Sequence, residues 1–157
     1  MPAKSARSAQ PKTGPRLDAF LCFAVYSANL AFSKAYRPFL DELGLTYTQF
    51  VTLVALSEED DQTVGGLGEK LFLESNTLTP ILKKLEAMGL VERARDKANE
   101  RQVRVNLTRS GRRLREKAFS VIDLKDACGL SATQFARLQG EIVALRDHLL
   151  VSASEAA

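Results

Sequence analysis

The run "ESNTLTPILKKLEAMGLVERARDKANERQVRVNLT", residues 74–108, changes its apolar period midway, and that change restricts the fold more than any other feature of the chain. Leu78, Ile81, Leu82, Leu85 and Met88 recur at the three- and four-residue spacing that gives a helix one apolar face. Ser75, Asn76, Thr77, Thr79, Lys83 and Lys84 fall opposite them, and Gly89 closes the helix. Pro80 fits a start near Asn76 or Thr77, because the first amides of a helix have no intrahelical acceptor. Further on, Val103, Val105 and Leu107 alternate with Arg104 and Asn106, which is a strand pattern, and "LVERAR" is its mate. The polar "DKANE" between them makes the exposed tip of a hairpin.

Other helices surround this pair. A broad apolar stripe runs from Leu17 to about Tyr36, after which Pro38 should end or kink the helix and "FLDELG" adds one more turn. "TYTQ" is a capping box, with Thr46 as N-cap and Gln49 reaching back. The helix it opens carries Phe50, Val51, Leu53, Val54 and Leu56, then dissolves in "SEEDDQ". A short third helix starts behind Thr63 and uses Val64, Leu67 and Leu71; its glycines make it intrinsically weak, so packing must hold it. After the hairpin, one helix is expected from about Arg109 to Asp126, ended by Gly129. "SATQ" is a second capping box, and Leu138, Ile142, Val143, Leu145 and Leu149 continue the last helix.

Helix, short helix, helix with a hydroxyl- and amide-rich face, then a basic hairpin is the order of a winged helix-turn-helix. The expected fold is mainly α with a small β-hairpin wing. The second helix of such a pair offers its N-terminal side chains to base edges in the major groove. Ser75, Asn76, Thr77 and Thr79 have the chemistry for bases and phosphates, and Lys83 and Lys84 attract phosphate. Lys97 and Arg101 at the hairpin tip suit phosphates or a narrow minor groove. A reader of one groove with one helix usually dimerises, so the first and last helices are expected to intertwine with a second copy; a monomer with a six-helix core is the alternative. The chain then divides into a disordered basic tail (1–16), a dimerisation helix region (17–45), a DNA-binding region (46–108) and C-terminal dimerisation helices (109–157).

Charge supports an anionic partner. Between Pro38 and Glu69 there are seven acids and no Lys or Arg, whereas Glu92 to Lys117 holds ten basic residues against four acids. No apolar run approaches a membrane span, and the first sixteen residues lack the apolar segment of a secretory signal. Two cysteines do not make a disulfide scaffold, so a reducing cytoplasm is expected.

Cys22, in "LCFAVYS", has two readings. It is a small hydrophobe on the apolar face of a helix, or it is a reactive thiol. Tyr26 lies one turn away on the same face, and a phenol that donates to a thiolate favours it. Cys128 sits beside Gly129 at a helix end, where a thiol is reachable, or is a chance surface cysteine. The single histidine, His148, and two distant cysteines make no dedicated metal site, so no metal or cofactor is expected. No activating base accompanies Cys22, which argues against a thiol peroxidase.

The segments "LCFAVYS", "YRPFLDELGLTYTQF", "LGEKLFLESNTLTPILKKLEAMGLVERAR" and "ERQVRVNLT" resemble the MarR family of bacterial transcription regulators, and within it the organic-hydroperoxide sensors of the OhrR group. The resemblance implies a peroxide-sensing cysteine at Cys22 and two tyrosines, Tyr26 and Tyr36, that bond to it in the reduced form. It implies a wing arginine at Arg101 and a recognition helix that starts over Ser75 to Thr79. Cys128 matches the resolving cysteine of the two-cysteine type, whose disulfide joins the subunits. Two positions depart from the family: Asn99 stands where an Asp often braces the wing arginine, and Glu74-Ser75-Asn76 replaces Asp-Ser-Gly.

The expectation is a cytoplasmic, nucleoid-associated homodimeric repressor and not an enzyme. Reduced, it occupies a pseudo-palindromic operator in double-stranded DNA. Organic hydroperoxide oxidises Cys22, a disulfide forms with Cys128 of the second subunit, and the operator is released. The alternative is a MarR-type repressor gated by a small aromatic ligand, with Cys22 as core filling.

Overall fold

The computed structural model describes residues 14, 16–99, 101–121 and 128–156. Among these, a 3-10 turn at Leu17–Ala19 precedes α1 (Leu21–Leu43), α2 (Tyr47–Glu58), β1 (Gln62–Thr63), α3 (Val64–Leu71), α4 (Ser75–Ala87), β2 (Val91–Arg95), β3 (Val103–Leu107), α5 (Arg109–Val121) and α6 (Ala132–Glu155). Two compact units divide between Lys34 and Ala35. The expected basic tail falls almost wholly outside the described residues, as does the expected helix end at Asp126.

The expected helix starts are made by the expected side chains. Thr46 accepts from the Gln49 amide while the Gln49 side chain accepts from the Thr46 amide, and Ser131 and Gln134 do the same for α6. Thr63 caps α3 through the Gly66 amide. α1 runs through Pro38 to Leu43, the further turn that "FLDELG" offered before Gly44, and α4 starts at Ser75, one residue ahead of the expected Asn76, with Pro80 in its second turn. Each proline removes one amide donor, and the residue whose carbonyl is deprived of it, Lys34 or Asn76, is exposed, so that carbonyl is open to solvent.

The core belongs to the second unit. Leu53 and Leu56 of α2, Leu67 of α3 and Leu78, Leu82 and Leu85 of α4 are fully buried. At about 1.5–3 kcal/mol per buried leucine, this shared core holds the glycine-rich α3 that its own propensity would not. Gly68 is needed there for closeness: a Cβ would stand 2.7 Å from the Leu73 carbonyl oxygen. Met88, expected on the buried face of α4, is 39% exposed, because the helix ends before it and the chain turns away at Gly89 with φ +69°.

The hairpin pairs as its alternation requires, Val91 opposite Leu107 and Arg95 opposite Val103. A third strand was not legible. β1 has two residues, and it pairs antiparallel with β3, which becomes central: Gln62 opposite Val105 and Thr63 opposite Arg104. Gln62, buried, closes that corner by donating to the Ala55 carbonyl at 2.8 Å.

Candidate functional site

At the start of α4, Ser75, Asn76 and Thr77 are exposed, as are Lys83 and Lys84 farther along. Glu74 is the N-cap; its side chain makes no cap bond, and its carbonyl accepts from the Thr77 amide at 2.9 Å and the Leu78 amide at 3.0 Å, so the Ser75 and Asn76 amides open the helix without a capping side chain. Thr79 is half-buried and gives its hydroxyl proton to the Ser75 carbonyl at 2.6 Å, which leaves its oxygen as an acceptor for outside groups. Ser75, Thr79, Gly65 at the head of α3, and Arg93, Arg101 and Gln102 of the wing all line one cleft of about 400 Å³. The start of α4 and Arg101 of the hairpin tip therefore line the same cleft. Lys97 and Arg101 are exposed at the hairpin tip.

The charge asymmetry is in part compensated within the fold. Several residues of the basic run are paired with acids, most of them from outside the run. Arg112 pairs with Asp60, Arg93 with Glu86, and Arg104 with both Asp61 and Asp96. Asp60 also accepts from the Leu107 amide at 3.3 Å. The acidic "EEDDQ" run is thus in part the counter-charge of the wing rather than a separate face. The available signal was complementarity: an outward-facing arginine on a strand, and an acidic run with no local bases.

These carboxyls all lie below the usual carboxylate range. Hydrogen bonds from Arg112, Arg104 and Arg93 are the main cause for Asp60, Asp61 and Glu86, and the Ala98 amide is the main cause for Asp96. A depressed folded value means that the stabilisation is fully present above the ordinary value of about 4 and is lost as pH falls through the folded values. The urea midpoint is therefore expected to hold steady from neutral pH down to about pH 5 and to fall below about pH 4. A midpoint flat to pH 3 would contradict the pairing.

The thiols are free. Cys22 is exposed in the single chain; the buried residues of α1 are Leu40 and Leu43, near its other end. Tyr26, one turn on, is 58% exposed, and its ring lies 6.3 Å from that of Phe23. Tyr36 belongs to the second unit, where it stands edge-on to Tyr47 with ring centres 5.2 Å apart. Burial chiefly, then Tyr47 and Cys128, push its pKa up, so the phenol keeps its proton at neutral pH and remains a donor. Cys128 is half-buried and within electrostatic reach of Tyr36, beside Gly129 at φ +63°. Among the described residues no group of His, Cys, Asp and Glu has the arrangement of a metal site. No helix among them is long and apolar enough to cross a membrane.

Residues 34–118 match the family described as transcriptional regulator SarA/Rot. The chain is 43% identical over 150 residues to the HTH-type transcriptional regulator TtmR of Methylorubrum extorquens, covering 94% of this chain and 77% of that protein. It is 42% identical over 106 residues to the organic hydroperoxide resistance transcriptional regulator of Bacillus subtilis, covering 68% of this chain and 72% of that one. Among solved structures, reduced AbfR bound to DNA superposes with a TM-score of 0.71 at 36% identity, over 83% of this chain and 91% of that chain. AbfR, from Staphylococcus epidermidis, is also known overoxidised on DNA and in a disulfide-formed state, and these match with TM-scores of 0.70 and 0.61.

Proposed function

The chain belongs to the MarR/SarA family of DNA-binding transcriptional regulators, with a winged-helix fold, and from that premise we propose that it is a repressor released by organic hydroperoxide. The observation that carries this reading is the pair of free thiols, Cys22 exposed and Cys128 half-buried, in a chain so similar to an organic hydroperoxide resistance regulator. The redox states in which AbfR is known support it further.

In the reduced state two copies hold a pseudo-palindromic operator. Each α4 enters a major groove with Ser75, Asn76, Thr77 and Thr79 at the bases, while Lys83 and Lys84 draw in phosphate. The wings bring Lys97 and Arg101 to the flanking backbone or minor groove. The dimer reading is supported by unpartnered apolar faces. Leu21, Val25 and Phe32 of α1 are exposed, and α6 buries none of its 24 residues although it carries Phe135, Leu138, Ile142 and Leu149. Residues 17–45 and 109–157 are accordingly the dimerisation regions, and 46–108 reads DNA. The regulator works in the cytoplasm, at the nucleoid, and consumes peroxide once per oxidation rather than turning over.

The chemistry balances without a cofactor. The Cys22 thiolate attacks the terminal peroxide oxygen, the O–O bond breaks, and the alkoxide leaves and regains from water the proton that the thiol gave up, with a Cys22 sulfenic acid behind. The Cys128 thiol of the second subunit then attacks that sulfur, the S–O bond breaks, and water leaves as the disulfide forms; two thiols have lost two electrons to one peroxide. Tyr26 and Tyr36 donate to the reduced thiolate and lose that bond on oxidation. The disulfide requires the first and last helices to move, and the two half-site readers lose their spacing.

The test is one experiment read twice. Purified protein, before and after one equivalent of cumene hydroperoxide, is run on a non-reducing gel and assayed on a duplex that the untreated protein selects from a random pool. A thiol-reversible covalent dimer that has lost the duplex is the expected result. Loss of binding without a covalent dimer would remove Cys128 from the mechanism, and unchanged binding would overturn the reading.

A further inference from the structure

The wing is not held by its own hairpin alone. Arg104, on central β3, points its guanidinium at two separate parts of the chain. Its Nη1 donates to Asp96 Oδ2 at 3.1 Å, and its Nη2 donates to the Asp61 carbonyl oxygen. Its Nε lies 2.8 Å from Asp61 Oδ1, an ion contact without an aligned N–H. Asp61 belongs to the loop between α2 and β1 and holds φ at +56°, an uncommon backbone for a side-chain-bearing residue. Asn106 donates to the same Asp61 carboxylate at 3.2 Å, so two outward residues of β3 grip one strained loop residue.

Asp96 passes this grip to the wing tip. While one of its oxygens faces Arg104, the other accepts from the Ala98 amide at 2.7 Å and the Asn99 amide at 3.2 Å. Asn99 in turn accepts from the Arg101 amide at 3.2 Å through its side chain, and its carbonyl accepts from the Gln102 amide at 2.8 Å. A continuous line of bonded groups therefore runs from the loop at Asp61, through Arg104 and Asp96, to the backbone of Arg101. The carboxylate of Asp96 is only 15% exposed and the Arg104 side chain 35%, so water competes little at the centre of the line.

We propose that Arg104 is a positioning residue for DNA recognition, one that ties the wing to the α2–β1 loop through Asp61 and Asp96 and so sets where Arg101 stands against the duplex. The proposal rests on the reading of Arg101 as a wing contact. Arg104 has its three donor nitrogens turned to protein, so it acts through Arg101 and not on phosphate. A hairpin tip without the tie would sample many poses, and only a fraction of them would present Arg101 to DNA.

A double-mutant cycle on the selected duplex separates the outcomes. Arg104→Gln is expected to weaken binding about tenfold while leaving the dependence of affinity on salt unchanged. Arg101→Ala is expected to weaken it at least as much and to reduce the salt slope by about one. Adding Arg104→Gln to Arg101→Ala should then cost nothing more. Asp61→Asn and Asp96→Asn, which disturb the strand less, should each reproduce part of the Arg104→Gln loss, with circular dichroism confirming the fold of every variant. Wild-type affinity in Arg104→Gln, or a double variant weakened by the product of the two single losses, would overturn the inference. Wild-type affinity in Arg101→Ala would instead remove the wing-contact reading on which it stands.

Discussion

Cys22→Ser is expected to bind operator within twofold of the parent and to stay bound after hydroperoxide treatment that releases the parent about a hundredfold, or about 3 kcal/mol. The substitution is mild for packing because it exchanges one small side chain for another of similar size, and within the single chain Cys22 is outside the core. It removes the one atom able to take oxygen from the peroxide at that position, since a serine hydroxyl is not oxidised by it. The release is expected to be large because a changed half-site spacing weakens both recognition helices together. Cys128→Ser, treated in the same way, should give no covalent dimer and should progress to acids that thiols do not reduce. Anisotropy titrations of both variants with and without cumene hydroperoxide make the check, and peroxide-driven release of Cys22→Ser would sink the redox mechanism.

Gly111→Ala is expected to be the most damaging single methyl among the glycines of the second compact unit. Gly111 lies in the first turn of α5, where its amide donates to the Thr108 hydroxyl at 3.0 Å. A Cβ there would stand 2.1 Å from the Leu90 carbonyl oxygen and 3.1 Å from a Leu107 methyl. That carbonyl cannot swing away without cost, because it accepts from the Thr108 amide at 3.1 Å. The helix must therefore lift off the sheet, and the expected loss is about 3 kcal/mol, or roughly 10 °C in Tm for a chain of this length. Gly140→Ala supplies the contrast. Nothing lies within 4 Å of its added methyl on α6, so it should stabilise by about 0.5–1 kcal/mol through helix propensity. Urea unfolding of the two variants beside the parent measures both, and an unchanged midpoint for Gly111→Ala would show that the α5–sheet junction gives more easily than its contacts indicate.

Much of this protein was legible in the chain because it is written locally. The periods of α2, α4 and the β2–β3 hairpin, and the capping boxes at Thr46 and Ser131, each lie within a few residues, and each was formed as read. The polar start of α4 and the tip arginine follow from the same local patterns, and the structure lines one cleft with both. Pro38 and Pro80 are carried inside helices because a lost amide bond is a local penalty, offset by the burial of Leu40 and Leu43 after Pro38 and of Leu78 and Leu82 on either side of Pro80.

What tertiary structure alone decided involves residues far apart in sequence. Asp61 and Arg104 are 43 positions apart and Asp60 and Arg112 are 52, and no periodicity links them. Their pairing turned an apparent split of charge into a braced wing. β1 exists only because β3 offers it an edge, and Gly111 matters only because the Leu90 carbonyl passes beneath it. Cys22 sits on an apolar stripe that the sequence assigns to packing, yet that stripe is exposed within the single chain. Helical period reports that a face is apolar, since the spacing of side chains is a property of the backbone; what covers that face is a property of its neighbours, and those are set only when the chain has folded.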